Sequence, residues 1–191
     1  MNPILTRSPK SPVWRLARPL GAVVLALCSV GAAASSNVVI SQVYGGGGNA
    51  GATLRNDFVE IFNRSSAPVS LAGWSVQYAS ATGTSWQSTP LPSTLLEPGQ
   101  YLLVQQAMGT GGTTALPTPD ATGTTAMSGT AGKVALANIA EPITSATQAA
   151  ILDLVAYGPT ATPSEGSGPS GAPGNATAAL RAANGCTDTD N

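Results

Sequence analysis

The segment Asn56–Tyr78 constrains the fold of this chain more than any other part of it. Its first half is dense in β-branched and aromatic residues. Val59 and Ile61 alternate with the polar Glu60, which is typical of a strand with one buried face. Pro68 interrupts the pattern because proline cannot donate to a sheet ladder. From Trp74 onward, apolar and polar residues alternate again and predict a second half-buried strand.

The rest of the chain repeats this arrangement of short strands separated by turns. No stretch shows a sustained helical period, and Ala107–Thr130 is a long Gly/Thr/Pro segment without periodicity. About seven to nine short strands without helices predict an all-β sandwich. Further strands are predicted at Asn37–Tyr44, Thr84–Thr89, Gln100–Gln106, Lys133–Asn138 and Ala150–Tyr157, with a last edge strand at Ala176–Ala182.

Seven stretches, in order, resemble a known family: ISQVYGGGGNAGA, DFVEIFN, LAGWSVQY, LEPGQYLLVQ, TAGKVALAN, LDLVAYG and ALRAANGCTDTDN. Together they look like the lamin-tail domain as it occurs in bacteria, over essentially all of Val38–Asn191. The resemblance implies an immunoglobulin-like β-sandwich over residues 35–191. It also implies a binding or scaffolding module without chemistry of its own, at the exterior of the cell.

Two functions follow from this resemblance. One is a free-standing, non-catalytic binding or scaffolding module that is secreted or held at the cell surface. The other is an N-terminal accessory domain of a secreted nuclease or phosphatase of the endonuclease/exonuclease/phosphatase type, with the catalytic part beyond Asn191. In relatives the closing stretch continues further, which would make the domain here truncated at its C-terminus. A longer reading frame with clusters of His, Asp and Asn would favour the second function.

Residues 1–34 have the layout of a secretory signal peptide. An apolar run, Leu20–Val30, follows a basic leader, and Ala32–Ala34 supplies small residues for cleavage after Ala34. The basic residues of the leader are Arg7, Lys10, Arg15 and Arg18. The sequence therefore predicts a secreted protein, in the periplasm, at the cell surface or in the medium.

Two alternatives to a cleaved leader are weaker. The apolar run falls well short of the ~20 residues that span a bilayer, so stable membrane insertion is not expected. A lipidated cysteine would need a small residue before Cys28, where Leu27 stands.

The charge balance argues against nucleic-acid binding. The chain has eight basic and nine acidic residues. Removal of the leader leaves four basic residues against all nine acids, a net charge of −5. Four scattered cations do not form the clustered basic surface that holds a phosphate backbone. The expected partner is an unidentified protein or a surface glycan or polymer.

The residue types available for catalysis predict that the chain is not an enzyme. It contains no histidine, which excludes Ser-His-Asp and Cys-His arrangements and His-ligated zinc. Asp57 and Glu60 are a close pair of carboxylates, but three positions apart on a strand they point to opposite faces. Strand-end solvation and turn hydrogen bonds are their expected roles. No catalytic, cofactor-binding or metal-binding residue is predicted, and no cofactor.

Glycines and aromatic residues each allow a functional and a structural interpretation. Gly45–Gly48 could cradle a phosphate, but no Lys-Ser/Thr pair or helix start follows, which favours a flexible loop. Trp74, Trp86 and Tyr78 could form a platform for sugars. Alternation places Trp74 and Tyr78 in the core between the sheets and leaves Trp86 as the candidate for an exposed aromatic side chain.

The end of the chain contains a cysteine and several carboxylates. Cys186 is the sole cysteine after the leader, so a disulfide within residues 35–191 is excluded. The resemblance implies a partner cysteine in the loop after Tyr157, and none is there. Asp188, Asp190 and Asn191 offer oxygen ligands that Ca²⁺ prefers, although a solvated, frayed terminus is the favoured interpretation.

Overall fold

The computed structural model describes residues 37–188, which form eleven short strands and one helical turn. The predicted leader, residues 1–34, lies outside these residues. The elements are β1 (Val38–Tyr44), β2 (Asn56–Asn63), β3 (Val69–Ser70), β4 (Ser75–Ser80), β5 (Gln87–Pro90), β6 (Leu95–Leu96), β7 (Tyr101–Met108), β8 (Ala121–Thr122), β9 (Gly132–Ala137), β10 (Ile151–Tyr157), β11 (Ala179–Leu180) and α1 (Ala182–Gly185). Within this part of the chain no helix has the length and apolarity that crossing a membrane requires.

Two sheets form an immunoglobulin-like sandwich, as predicted. The first has five strands in the order β11-β1-β2-β7-β8, and the second has four in the order β10-β9-β4-β5. All pairings are antiparallel except β7 with β8, and β3 pairs with β6 in a small ribbon. The strand count exceeds the prediction because β3, β6 and β8 have two residues each, too few for the alternation of apolar and polar residues to be visible in the sequence.

The core lies between the two sheets and contains the apolar residues of β2 that the alternation of apolar and polar residues predicted to be buried. Val59 and Ile61 of β2 are fully buried and face Val134, Leu136 and Tyr157 of the opposite sheet within one apolar cluster. Burial of an aliphatic or aromatic side chain contributes about 1.5–3 kcal/mol, so this cluster is a large favourable contribution to the fold.

The second face of β4 is also buried, contrary to the prediction of a half-buried strand. Ser75 and Gln77 are fully buried because residues 138–143 cover them. The Ser75 hydroxyl donates to the Ile139 carbonyl at 2.6 Å, and the Gln77 side-chain carbonyl accepts the Ile143 N–H at 2.8 Å. Hydrogen bonds to a covering loop thus allow polar residues to be buried in the sheet.

Neither Trp74 nor Trp86 lies where the sequence predicted it. Trp74 precedes β4 and is half-buried at the margin of the core, so the prediction of full burial between the sheets is wrong. Trp86, predicted to be exposed, is 5% exposed and packs in a second apolar cluster on the outer face of the four-stranded sheet. Lys133 lies over its ring, with Nζ 5.7 Å from the ring centroid. Trp74, Trp86 and Tyr78 therefore do not form the sugar platform that the sequence allowed.

Gly45–Gly48 does not form a flexible loop, and that prediction is wrong. All four glycines are buried because neighbouring loops pack directly against their backbone. A Cβ on Gly47 would overlap the backbone of Asn56, and one on Gly45 would overlap the Ser128 carbonyl. The absent side chains allow the loops at this end of the sandwich to pack closely together.

Candidate functional site

A buried ion pair joins the edges of the two sheets. Asp153 lies at a bulge in β10, and Arg181 directly follows β11. The Asp153 carboxylate accepts the Ile40 N–H at 2.6 Å, and Arg181 Nε donates to the Ile40 carbonyl at 2.9 Å. Arg181 Nη2 also contacts Asp153 directly. The backbone groups of β1 that are freed at its bulge near Ser41 are thereby satisfied.

Two further carboxylates complete a carboxylate cluster of Asp153, Glu165 and Asp188, whose oxygens lie within 4.8 Å of one another. Asp188 contacts Arg181 at 3.1 Å and Arg64 at 3.4 Å, and its side chain is 2% exposed. Glu165 lies 3.8 Å from Arg181 and is the accessible member, with 30% of its side chain exposed. Three carboxylates thus share two guanidinium groups.

The imbalance of charge favours retention of a proton in the carboxylate cluster. The pKa of Glu165 is raised to about 7, mainly by burial and also by the neighbouring carboxylates Asp153 and Asp188, while Arg181 opposes the shift. Burial also raises the pKa of Asp153, while the Arg181 charge and the Ile40 N–H oppose the shift. The side-chain hydrogen bond between Glu165 and Asp153 raises the pKa of Glu165 and lowers that of Asp153, which favours the proton on Glu165, the accessible member.

Asp188 is not part of a solvated terminus, so that prediction is wrong. The two guanidinium groups that it contacts hold it in the fold and balance its charge. Asp190 and Asn191 lie outside the described residues.

Two depressions meet at Glu165 and form what we call the edge groove. The larger, of about 510 Å³, lies between β1, β10, β11 and residues 165–173. The smaller, of about 280 Å³, lies between residues 146–148, the start of β10 and Ser164. Leu154 and Glu165 line both. Leu180, 56% exposed, adds an apolar rim.

Asp57 lies at the other end of the sandwich and is buried, contrary to the prediction of strand-end solvation. Its two oxygens accept the N–H groups of Gly47 and Met127, each at 2.8 Å. Burial raises its pKa to about 6, although these two hydrogen bonds oppose the shift. Glu60 faces the opposite side, as predicted, and accepts the Ser41 hydroxyl at 2.7 Å. Asp57 therefore holds two loops together.

Cys186 lies beside the outer face of the five-stranded sheet. Its Sγ is 3.5 Å from the Tyr101 hydroxyl, and it forms no disulfide with any residue in the range 37–188.

These features define an immunoglobulin-like β-sandwich domain whose edges are joined by buried charges. Comparison with protein families gives the narrower assignment. The family model of the Lamin Tail Domain matches residues 31–187, and the chain belongs to that family. A search of the curated proteins found no match.

Proposed function

We propose that this protein is an exported, non-catalytic binding module of the lamin-tail type. The observation that carries the proposal is that its buried carboxylates hold the fold together. Asp57 and Asp153 each accept backbone N–H groups, and Asp188 is engaged by two guanidinium groups. Glu165 is the one accessible carboxylate in the cluster, and within residues 37–188 no second accessible acid joins the cluster to complete an acid–base pair.

The positions of the cations support a partner other than nucleic acid. Lys133 is buried and donates to the carbonyls of Gly83 and Thr162, at 2.9 and 2.6 Å. Arg181 and Arg64 contact acidic residues. Side chains engaged in this way do not present the basic surface that phosphate contacts require.

The export part of the proposal is tested by expressing the full chain in a bacterium and sequencing the N-terminus of the protein from periplasm and medium. We expect a protein that begins at Ser35. Leu25→Arg, which places a charge in the apolar run, serves as the control and should keep the protein inside the cell. Wild-type protein with an intact Met1 in the cytosol would overturn export.

The non-catalytic part is tested on the processed protein with phosphodiester, phosphomonoester and glycoside substrates. We expect no turnover above that of a heat-unfolded sample. Turnover that Glu165→Gln abolishes would overturn this part of the proposal. Attachment to a secreted nuclease or phosphatase is a separate question, which the reading frame beyond Asn191 answers.

A further inference from the structure

The outer edge of β10 is partly open. Ser170 pairs with its last residues, because the Ser170 N–H donates to the Ala156 carbonyl at 2.8 Å and the Gly158 N–H donates to the Ser170 carbonyl at 2.9 Å. Backbone groups on a strand alternate between its two edges, so the N–H and C=O of Leu154 face the same side as those of Ala156. Among the described residues, no hydrogen-bond partner is present for the backbone groups of Leu154 on this side.

The edge groove follows this open edge. Its two depressions lie on either side of Leu154 and extend from Gln148 to Thr177. Small residues such as Gly168, Gly171 and Ala172 form much of the wall, so an incoming backbone meets few large side chains. The part of β10 that Ser170 does not cover, Ile151–Val155, is about 17 Å long, which is room for an extended peptide of about three to five residues.

Charge selects the type of peptide that fits. Glu165 is the most accessible member of the carboxylate cluster and lies where the two depressions meet. Asp153 and Asp188 are close to it, and the guanidinium of Arg181 is shared among all three carboxylates. A lysine or arginine side chain would take the place of the proton on Glu165 and balance the third carboxylate.

We propose that the edge groove binds an extended peptide segment of a partner protein by strand addition to β10, with a basic side chain of the peptide paired with Glu165. This inference rests on the proposed binding function. Main-chain hydrogen bonds to Leu154 supply affinity, and the carboxylate cluster supplies selectivity.

The proposal is tested by selection from a library of random dodecapeptides displayed on phage, with the processed protein immobilised. We expect enriched peptides to lack proline, to alternate β-branched residues and to carry Lys or Arg at one fixed position. The best peptide is then synthesised with a fluorescent label and titrated by anisotropy. Its Lys→Gln version should bind about tenfold more weakly, the loss expected for a hydrogen bond to a charged group.

Three matched comparisons test the mechanism. Glu165→Gln should remove the preference for Lys over Gln, whereas Glu97→Gln, at an exposed turn outside the edge groove, should leave it unchanged. Two peptides are compared, one N-methylated at the odd-numbered residues and one at the even-numbered residues. One of them should lose binding and the other keep it, because only one set of N–H groups faces β10. Binding of the basic peptide should strengthen as pH rises through about 7, because Glu165 then ionises beside Asp153 and Asp188.

Failure of this inference is distinct from failure of the proposed function. No enrichment of any peptide, or binding that is indifferent to N-methylation or to Glu165→Gln, overturns the peptide site and leaves an exported binding module untouched. A stable dimer by light scattering whose interface covers β10 also overturns it, because a second copy of the chain would then occupy the groove. Retention of the protein in the cytosol overturns the proposed function, regardless of the result of the peptide-binding experiments.

Discussion

At the scale of single residues, buried charge is the feature that the sequence conceals. Asp153 and Arg181 are separated along the chain and meet across the sandwich. Each is a lone charge among apolar neighbours, in LDLVAY and ALRAA, and this signal could have predicted a buried pair. The presence of Glu165 and Asp188 beside this ion pair could not be predicted, because both lie in irregular segments whose path depends on the complete fold.

Removal of Arg181 tests the importance of the pair. Arg181→Ala leaves Asp153 buried without its guanidinium, so we expect the free energy of unfolding to fall by about 3–5 kcal/mol. Arg55→Ala is the control, because Arg55 is exposed and forms no ion pair within residues 37–188; it should change stability by less than about 0.5 kcal/mol. Urea titration of both variants gives the comparison. Similar values for the two would show that the pair contributes little.

The tryptophans give a second test at this scale. Trp86 is buried on the outer face of the four-stranded sheet, so Trp86→Ala should cost about 3–5 kcal/mol. Trp74 is half-buried, and Trp74→Ala should cost clearly less, about 1–2 kcal/mol. Denaturant midpoints of the two variants decide the order, and the reverse order would restore the interpretation based on alternation alone.

At the scale of elements, the alternation of apolar and polar residues predicts the positions of the longer strands well. It predicts poorly whether the polar face of a strand is exposed. β2, β7, β9 and β10 lie within one or two residues of their predicted positions, because each contributes apolar residues to the core at period two. The strand predicted at Thr84–Thr89 is shifted to Gln87–Pro90, and the predicted edge strand is reduced to Ala179–Leu180. The polar residues of β4 were predicted to be exposed to solvent, because the loop that covers them is distant in sequence.

The glycine loop after β1 offers a matched pair of substitutions. Gly47→Ala places a Cβ against the Asn56 backbone, which cannot move without disturbing β2, so we expect a loss of about 3 kcal/mol. Gly171→Ala is the control, because no heavy atom lies within 4 Å of its Cβ position, and it should be neutral or stabilising by about 0.5 kcal/mol. Thermal unfolding of both distinguishes close packing from flexibility, since equal effects would indicate a flexible loop.

At the scale of the whole molecule, carboxylates dominate the response to pH. The chain has no histidine, so few other groups titrate between pH 5 and 8. Besides Asp153, whose pKa burial also raises, two carboxyl groups have pKa values in the fold well above their ordinary values: about 6 for Asp57, against 3.8, and about 7 for Glu165, against 4.5. In both cases burial is the main cause, and the folded chain therefore binds more protons than the unfolded chain between about pH 4 and 7.

The sign of the pH dependence follows from this difference in bound protons. A group whose pKa is raised in the fold adds stability below its unfolded pKa, and this stability is lost as pH rises through the folded value. We therefore expect the free energy of unfolding to decrease from pH 4.5 to pH 7.5, measured by urea titration of the processed protein. Glu165→Gln should flatten the upper part of the curve, near pH 7, whereas Glu97→Gln should leave its shape unchanged. Stability that rises over this range would contradict the prediction, because it would mean that hydrogen bonds and guanidinium groups outweigh burial at these carboxyl groups.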